Sequence, residues 1–200
     1  MVHITTVMII IGAYLIGSIP FGFLLAYFWK GIDIRKCGSG NIGATNVWRT
    51  LGKVPGMIVL ILDMIKGISA VLLAKQLENT DIAVLGVALA VMAGHSWPLW
   101  LRFKGGKIIA TGAGAILALS PMPLLLAFLV WLTTVVVSRY VSLGSILGAV
   151  SLPIWMALLN QNRHYLIFSV LVASFAVWKH SSNIGRLIKG TEFKIGQKKT

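Results

Sequence analysis

The chain consists of seven apolar runs separated by short polar segments. A helix needs about 20 residues to cross the hydrocarbon of a bilayer. The first three runs are long enough to do so, whereas the last four are short or marginal. The pattern predicts an all-α integral membrane protein. The runs cover Ile4–Trp29, Val54–Ala74, Ile82–Leu101, Ile108–Leu119, Leu124–Val137, Leu143–Leu159 and Tyr165–Trp178.

The positions of the basic residues indicate how many runs cross. If all seven cross with the N-terminus outside, every one of the 18 Lys and Arg residues except Lys66, Lys75 and Arg163 lies on the inner side or in the inner tail. This is the asymmetry that the positive-inside rule expects. A fourth run that only re-entered would place the basic tail outside. We therefore predict a compact seven-transmembrane-helix bundle with a cytoplasmic C-terminus, forming one polytopic membrane domain over residues 1–200.

Composition supports this assignment and excludes other classes. The chain is 57% hydrophobic and 12% charged, with a mean hydropathy of +0.87. Its formal charge of +13 follows membrane topology, so nucleic acid is not an expected partner. The first run lacks a preceding basic segment and a small-residue cleavage site, which indicates a retained helix. The single Cys37 excludes an internal disulfide, and the scattered His and acidic residues predict no metal site and no cofactor.

Under this topology every polar-rich segment faces the same side of the membrane. The outer loops are short and carry little chemistry. We therefore expect one active site that faces the cytoplasm and is assembled from four segments. They are the first segment (35–53), the second segment (102–107), the third segment (138–145) and the fourth segment (179–192).

The first segment contains a glycine-rich polar loop typical of anion binding. Its Gly-x-Gly-x-x-Gly spacing has no preceding strand, and Ala44 occupies the lysine position of a P-loop, so both nucleotide motifs fail. Glycines still allow backbone N–H groups to converge, and a helix starting near Thr45 would add its N-terminus. We predict a phosphate site here rather than a simple turn. Its candidate residues are Ser39, Gly40, Asn41, Gly43, Thr45, Asn46 and Arg49.

In the second segment, Lys104 and Lys107 bracket Gly105 and Gly106 before a short apolar run. Basic residues at helix ends often only anchor the chain at lipid headgroups. Lysines around paired glycines instead collect cations and N–H donors near a helix N-terminus, which favours phosphate binding.

In the fourth segment, His180, Asn183 and Arg186 recur every three residues and share a face if the segment is helical. They indicate either a substrate site or a basic amphipathic tail on anionic lipid. Ser142 in the third segment either caps a helix, as Ser145 could, or binds phosphate.

Three further ionisable residues lie within the apolar runs. Asp63 and Lys66 are three residues apart in one run and are expected to face the interior as a pair. Structural and catalytic roles are equally open for them. His95 is expected to be a hydrogen-bonded structural residue.

Taken in order, these segments resemble the bacterial acyl-phosphate-dependent glycerol-3-phosphate acyltransferase family, PlsY, over essentially the whole chain. The chain departs from the pattern at two places: Ile108 stands where Gly is expected, and Ser181-Ser182 replace a more charged pair. The matching motifs are Gly17–Gly22, Gly38–Arg49, Asp63-x-x-Lys66-Gly67, Gly94-His95, Phe103–Lys107, Ala110-Thr111, Arg139–Ser142, His180-x-x-Asn183-x-x-Arg186, Gly190 and Glu192.

The resemblance implies a multi-pass enzyme of the bacterial cytoplasmic membrane with its active site facing the cytoplasm. It would move a fatty acyl group from acyl phosphate to the sn-1 hydroxyl of glycerol 3-phosphate, the first step of phospholipid synthesis. The products would be lysophosphatidic acid and phosphate. Beyond both substrates and membrane lipid, an enzyme that produces acyl phosphate is a possible partner.

The chemistry of such a transfer suggests a role for each candidate. Ser39, Asn41 and Thr45 would cradle acyl phosphate while Arg49, Lys104 and Lys107 neutralise charge. His180 and Asn183 would orient glycerol 3-phosphate, with His180 the best candidate for a base and a substrate phosphate oxygen its rival. No His has an Asp five residues later, unlike typical acyl-CoA-dependent acyltransferases. The alternative function is a small anion or phospholipid transporter.

Overall fold

A computed structural model describes residues 4–78 and 80–196. Lys198 and Lys199, which the charge pattern places on the inner side, lie outside the described residues. The fold divides into two compact units, Met1–Leu119 and Ser120–Thr200. The expectation of one domain with one shared four-segment site stays a prediction.

Unit 1 contains six α-helices and two 3₁₀ turns within its described residues. The 3₁₀ turns cover Ile34–Lys36 and Leu99–Leu101. The helices are α1 (Ile4–Ser18), α2 (Phe21–Lys30), α3 (Ala44–Leu51), α4 (Lys53–Leu77), α5 (Asp81–Ser96) and α6 (Ile109–Leu119).

Unit 2 contains four α-helices in its described part. Three are long and apolar, and the last is a short helix with a polar composition. They are α7 (Pro121–Ser138), α8 (Val141–Leu158), α9 (Arg163–Lys179) and α10 (Ser181–Ile188).

The first apolar run is interrupted rather than continuous. Helix α1 ends at Ser18 and α2 begins at Phe21, with Pro20 between them. Proline lacks an N–H donor and disfavours helical geometry in the residue before it, which explains the break. The third run is interrupted in the same way. Helix α5 ends at Ser96, and after Pro98 the chain forms the 3₁₀ turn rather than a further turn of α-helix.

Glycines allow the long helices of unit 1 to pack at short range. An added Cβ at Gly17 would overlap the Val91 carbonyl oxygen, so α1 and α5 are in backbone contact. A Cβ at Gly114 would overlap the Met64 carbonyl oxygen and separate α6 from α4. Small residues at helix interfaces permit this close approach in membranes.

The helices are long and apolar enough for an integral membrane protein. Within the described residues, five segments qualify as membrane spans by length and composition. Helix α6 is apolar but has only 11 residues, and α9 has 17. The qualifying segments are Ile4–Lys30, Lys53–Leu77, Asp81–Leu101, Pro121–Ser138 and Val141–Leu158.

Candidate active site

Asn46 organises the loop of the first segment. It lies in the first turn of α3 and is only 2% exposed. Its Oδ1 accepts from the Ser39 N–H at 2.8 Å. Its Nδ2 group donates to the carbonyl oxygens of Ile34, Cys37 and Asn41 at 3.2, 3.0 and 2.8 Å. Asn46 was predicted to bind substrate. In the structure its side chain is hydrogen-bonded to the backbone of the loop.

The loop itself combines an Asn turn with left-handed glycines. Asn41 Oδ1 accepts from the Gly43 N–H at 2.8 Å, which sets the entry into α3. Gly38 and Gly40 have φ values of +57° and +73°, a region that other L-residues rarely adopt. At Gly38 an added Cβ would also overlap Asn46 Oδ1. The loop is therefore shaped by its own side chains before any ligand arrives.

Helix α3 presents two predicted site residues together. It begins at Ala44, as the sequence predicted. Thr45 and Arg49 are four residues apart on it and share one face, whereas Val47 is fully buried. Ser39, just before the helix, is half-buried. A hydroxyl and a guanidinium thus follow a helix N-terminus, the combination that binds phosphate groups.

Two glycines on neighbouring helices hold this segment in place. An added Cβ at Gly22 of α2 would overlap the Ile42 carbonyl oxygen. At Gly56 of α4 it would lie 2.6 Å from Trp48 Cβ. The loop and α3 therefore rest directly on the backbones of α2 and α4.

Arg35 is held by a neighbour of opposite charge. Its Nε and Nη2 atoms donate to the Asp33 carboxylate at 2.9 and 2.8 Å, and its guanidinium lies 4.9 Å from the Phe23 ring centre. The Arg35 hydrogen bond lowers the pKa of Asp33 to about 2. This pair stabilises the 3₁₀ turn that precedes the loop.

The glycine turn of the second segment lies against the end of α5. The Gly106 N–H donates to the His95 carbonyl at 2.9 Å, and the Gly105 N–H donates to the Ser96 carbonyl at 3.2 Å. Ser96 Oγ donates in turn to the Gly106 carbonyl at 3.3 Å. Nothing in the sequence pointed to Ser96 beyond its place next to His95. Ser96 reaches the Gly106 carbonyl because the chain turns back after Pro98 and brings the glycine turn against the end of α5.

The lysines beside this turn differ in exposure. Lys104 is exposed, and Lys107 is half-buried. Ile108 follows with a φ of +61° and is 1% exposed. A left-handed backbone is strained for a β-branched residue and unstrained for glycine. This conformation explains why glycine is the expected residue at position 108.

The predicted pairing of Asp63 and Lys66 is confirmed. Lys66 Nζ lies 2.8 Å from Asp63 Oδ1, and both side chains are buried. His95 joins them, with its Nδ1 2.9 Å from Lys66 Nζ. The expected hydrogen bonding of His95 is confirmed as well.

In unit 2, Glu192 binds two of the predicted site residues. Its Oε1 accepts from Asn183 Nδ2 at 2.7 Å, and its Oε2 accepts from Arg186 Nε at 2.6 Å. Burial of the carboxyl group raises the pKa of Glu192, but hydrogen bonds from Asn183 and Arg186 outweigh it, so the net pKa is lowered. Asn183 and Arg186 do share one side of α10, as their spacing predicted.

The serines of the third segment are not helix caps. Helix α8 begins at Val141 after Tyr140, so Ser142 lies inside its first turn. Ser145 Oγ donates to the Val141 carbonyl at 2.9 Å. The capping alternative was therefore wrong, because the helix begins before both serines.

The third and fourth segments meet through the tail of the described chain. The Ile195 N–H donates to the Arg139 carbonyl at 2.9 Å, and Arg139 Nη2 donates to the Ile195 carbonyl at 2.8 Å. Lys194 Nζ lies 5.3 Å from the Tyr140 ring centre. The tail thereby keeps Glu192 near Ser142. Arg139, which the sequence analysis placed in a matching motif without a role of its own, binds the tail through these two bonds.

His180 forms the junction between α9 and α10. It is 4% exposed, and its Nδ1 lies 2.7 Å from the Ala176 carbonyl oxygen. Because a carbonyl oxygen only accepts, this contact places a proton on Nδ1 and leaves Nε2 as the acceptor of the neutral ring. The ring orientation is therefore fixed by its own helix.

A family model described as glycerol-3-phosphate acyltransferase matches residues 7–190. The chain belongs to the glycerol-3-phosphate acyltransferase family. It is therefore an integral membrane acyltransferase, and the transporter alternative is set aside. A glycerol-3-phosphate acyltransferase of Desulforudis audaxviator is 47% identical, with 96% of this chain and 98% of the relative aligned. Glycerol-3-phosphate acyltransferase 2 of Moorella thermoacetica is 44% identical, with 93% and 95% aligned.

Solved structures of this family share the fold. The glycerol 3-phosphate form of PlsY (YgiH), an integral membrane glycerol 3-phosphate acyltransferase, superimposes with a TM-score of 0.92 at 38% identity, covering 96% of each chain. Its lysophosphatidic acid form gives a TM-score of 0.89 at the same identity and coverage. The resemblance to this family read from the sequence motifs is confirmed.

Proposed function

We propose that this acyltransferase uses acyl phosphate as donor and glycerol 3-phosphate as acceptor, and releases lysophosphatidic acid and inorganic phosphate. The observation that carries the proposal is the similarity along nearly the whole chain to PlsY in its glycerol 3-phosphate and lysophosphatidic acid forms. The preformed anion loop before α3 and the missing His-x₄-Asp pair support a phosphate leaving group over a thioester donor.

The reaction needs one bond exchange. The sn-1 hydroxyl oxygen of glycerol 3-phosphate attacks the acyl carbonyl carbon, and the bond from that carbon to the phosphate oxygen breaks. The hydroxyl proton leaves to a base, either His180 Nε2 or an oxygen of a substrate phosphate. Because acyl phosphate is a mixed anhydride with a good leaving group, orientation and charge stabilisation supply most of the catalysis.

In unit 1, we assign the phosphate group of the donor to the first segment. The Ser39 and Thr45 hydroxyls and the N–H groups at the start of α3 bind its oxygens, while Asn41 and Asn46 hold the turn. Arg49 lies one turn further on the same face of the helix as Thr45 and neutralises charge.

The other candidate residues stabilise the negative charge of the reaction or bind the acceptor substrate. Lys104 and Lys107 stabilise phosphate and the tetrahedral intermediate. The N–H groups of Gly105 and Gly106 hold the turn between them against the end of α5. In unit 2, Asn183, Arg186 and Ser142 contribute to binding glycerol 3-phosphate, and Glu192 keeps Asn183 and Arg186 in place.

We further propose seven crossings of the bacterial cytoplasmic membrane, with the N-terminus outside and the site facing the cytoplasm. The five qualifying spans together with α6 and α9 make seven. The basic residues then collect on the inner side. In a Cys37→Ser background, an impermeant maleimide added outside intact cells should label His164→Cys and spare Lys104→Cys. Labelling of both would contradict the topology.

The activity is tested with purified protein in detergent. Acyl phosphate and glycerol 3-phosphate together should release phosphate and form equal amounts of lysophosphatidic acid, whereas either alone should not. Acyl-CoA in place of acyl phosphate should give no product. Lys104→Met should lower the rate strongly, and Lys75→Met, at the opposite end of unit 1, serves as the matched control. Product from acyl-CoA but not from acyl phosphate would contradict the proposal.

A further inference from the structure

Three ionisable side chains are buried together among the helices of unit 1. Asp63, Lys66 and His95 are 2%, 3% and 4% exposed. Buried charges are costly in a membrane protein and are retained where they serve a function. None of the three has a part in the reaction described above.

The ammonium group of Lys66 is at the centre of this cluster. It lies 2.8 Å from Asp63 Oδ1 and 2.9 Å from His95 Nδ1. It also donates to the carbonyl oxygens of Gly17 and Ile19 at 3.1 and 3.3 Å. An ammonium group has no acceptor, so His95 Nδ1 accepts, and the neutral ring carries its proton on Nε2.

One set of these bonds leads to the second segment. The ring of His95 lies directly against the glycine turn, because an added Cβ at Gly106 would overlap its Nε2. The His95 carbonyl accepts from the Gly106 N–H at 2.9 Å. By fixing the His95 ring, Lys66 fixes the surface on which the turn between Lys104 and Lys107 rests.

The other set leads to the first segment. The carbonyls of Gly17 and Ile19 lie at the break between α1 and α2, so Lys66 ties that break to α4. The ammonium also lies 5.6 Å from the Phe21 ring centre at the start of α2. Helix α2 then supports the anion loop through the contact of Gly22 with Ile42.

We propose that Lys66 is a positioning residue whose buried ammonium group orients both the first and the second segment of unit 1. That these two segments bind phosphate rests on the proposed function, but the positioning of the segments by Lys66 does not. Asp63 supplies the compensating charge, and His95 transmits the orientation to the glycine turn. A purely structural pair would stabilise the fold without affecting the order of either segment.

The test compares amide hydrogen exchange and kinetics in matched variants. Asp63→Asn with Lys66→Met removes both charges together, which avoids leaving one buried charge unpaired. Lys75→Met makes the same change on the same helix, where Lys75 Nζ donates to the Ala118 carbonyl at 2.6 Å. Exchange is measured over residues 38–46 and 103–107, and KM and kcat are measured for both substrates.

We expect the double variant to fold with a lowered thermal midpoint, because the carbonyls of Gly17 and Ile19 and the His95 Nδ1 lose their donor. Exchange in both segments should accelerate at least tenfold, and kcat/KM should fall by about tenfold to a hundredfold, since small misplacements of binding groups have effects of that order. Lys75→Met should change neither quantity. Native exchange and kinetics within about twofold in the double variant would overturn the proposal, and so would faster exchange in one segment alone.

A second pair of variants decides the matter if the double variant does not fold. His95→Leu removes the acceptor through which Lys66 reaches the second segment and leaves the Lys66 bonds to the Gly17 and Ile19 carbonyls. His95→Asn places Oδ1 near the position of Nδ1 and restores the acceptor. Exchange over residues 103–107 should accelerate in the first and be near native in the second, with residues 38–46 unchanged in both. Native exchange in His95→Leu would overturn the proposal. If the native protein transfers no acyl group, the proposed function fails, and the exchange results still decide the role of Lys66.

Discussion

The imidazole of His95 occupies the space that a side chain at Gly106 would need, because an added Cβ there would overlap His95 Nε2. Neither group can yield easily. His95 is held at Nδ1 by Lys66 at 2.9 Å, and the Gly106 N–H is bound to the His95 carbonyl at 2.9 Å. The glycine turn is thus defined by contact with a buried ring as much as by backbone flexibility.

Gly106→Ala should therefore displace the turn and lower kcat/KM by about tenfold or more. Gly112→Ala is the matched control, because an added Cβ there meets only the end of the Met92 side chain, at an ordinary 3.6 Å from Cε and 3.8 Å from Sδ. Alanine at position 112 should be neutral or stabilise α6 slightly, by up to about 1 kcal/mol. Steady-state kinetics and thermal unfolding in detergent check both variants. Equal activity of the two variants would contradict this account of the turn.

Asn46 and Asn41 should respond differently to the same substitution. In Asn46→Asp, the donor to three carbonyl oxygens becomes an acceptor, and unsatisfied buried groups cost about 1–3 kcal/mol each. Asn41→Asp keeps the Oδ1 that accepts from the Gly43 N–H. The thermal midpoint should fall strongly for the first variant and little for the second. A larger loss in Asn41→Asp would show that the loop is held in another way.

At position 108, glycine should give a more stable protein than alanine. Both substitutions lose a buried side chain, which typically costs about 2–5 kcal/mol for Ile→Ala. Only glycine also relieves the left-handed backbone, whose strain is about 1–2 kcal/mol for other residues. Ile108→Gly should therefore have the higher thermal midpoint of the two.

The same pair of substitutions at Ile116 provides the control. Ile116 lies in the middle of α6, is 4% exposed and has ordinary helical geometry. There, glycine should be less stable than alanine by about 1 kcal/mol. The same order of stability at both positions would argue against strain at Ile108.

Glu192 should make stability depend on acidity. Its folded-state pKa is below the ordinary 4.5, so its contribution is complete above pH 4.5 and is lost as the pH falls through the lower folded value. Glu192→Gln keeps one acceptor oxygen in place of two and turns an NH₂ donor towards Asn183 or Arg186, so it should cost about 1–3 kcal/mol at neutral pH. It should also remove this part of the acid sensitivity.

Thermal midpoints measured between pH 3 and pH 7 check this prediction. Glu78→Gln, at the end of α4 in the other unit, makes the same chemical change away from this cluster. Its midpoint should follow the native pH curve. A native acid response in Glu192→Gln would show that other carboxylates are responsible.

The apolar patterns of the sequence predicted the helices. Contacts between side chains could be predicted only where the two residues are close in sequence. The start of α3 near Thr45 and the Asp63–Lys66 pair were predicted, because capping glycines and a three-residue spacing are local features. The break before Pro20 lies inside a run that is apolar on both sides of it, so hydropathy alone does not reveal it, although Pro20 is itself a local signal for a helix break.

Local sequence patterns did not reveal which groups the polar site residues would bind. Glu192 reaches Asn183 and Arg186 because Gly190, with a φ of +68°, reverses the chain after α10. The hydrogen bonds of Asn46 likewise depend on closure of the whole loop. Such side chains were predicted to bind substrate because a polar residue in a glycine-rich segment has the same signature whether it binds a ligand or its own loop.

His180 is the remaining candidate for a base, and its geometry sharpens the test. With Nδ1 bound to the Ala176 carbonyl at 2.7 Å, a neutral ring accepts a proton only at Nε2. His180→Gln removes that acceptor, so kcat/KM should fall by about 10²–10⁴-fold and the acid limb of its pH profile should disappear.

His164→Gln is the control, because His164 lies exposed at the opposite end of the same helix α9. Its profile should match that of the native protein, and both variants should keep a native thermal midpoint. An unchanged profile with a near-normal rate in His180→Gln would exclude His180 as the base. The proton would then be assigned to a phosphate oxygen of the substrate, since the good leaving group makes a strong protein base unnecessary.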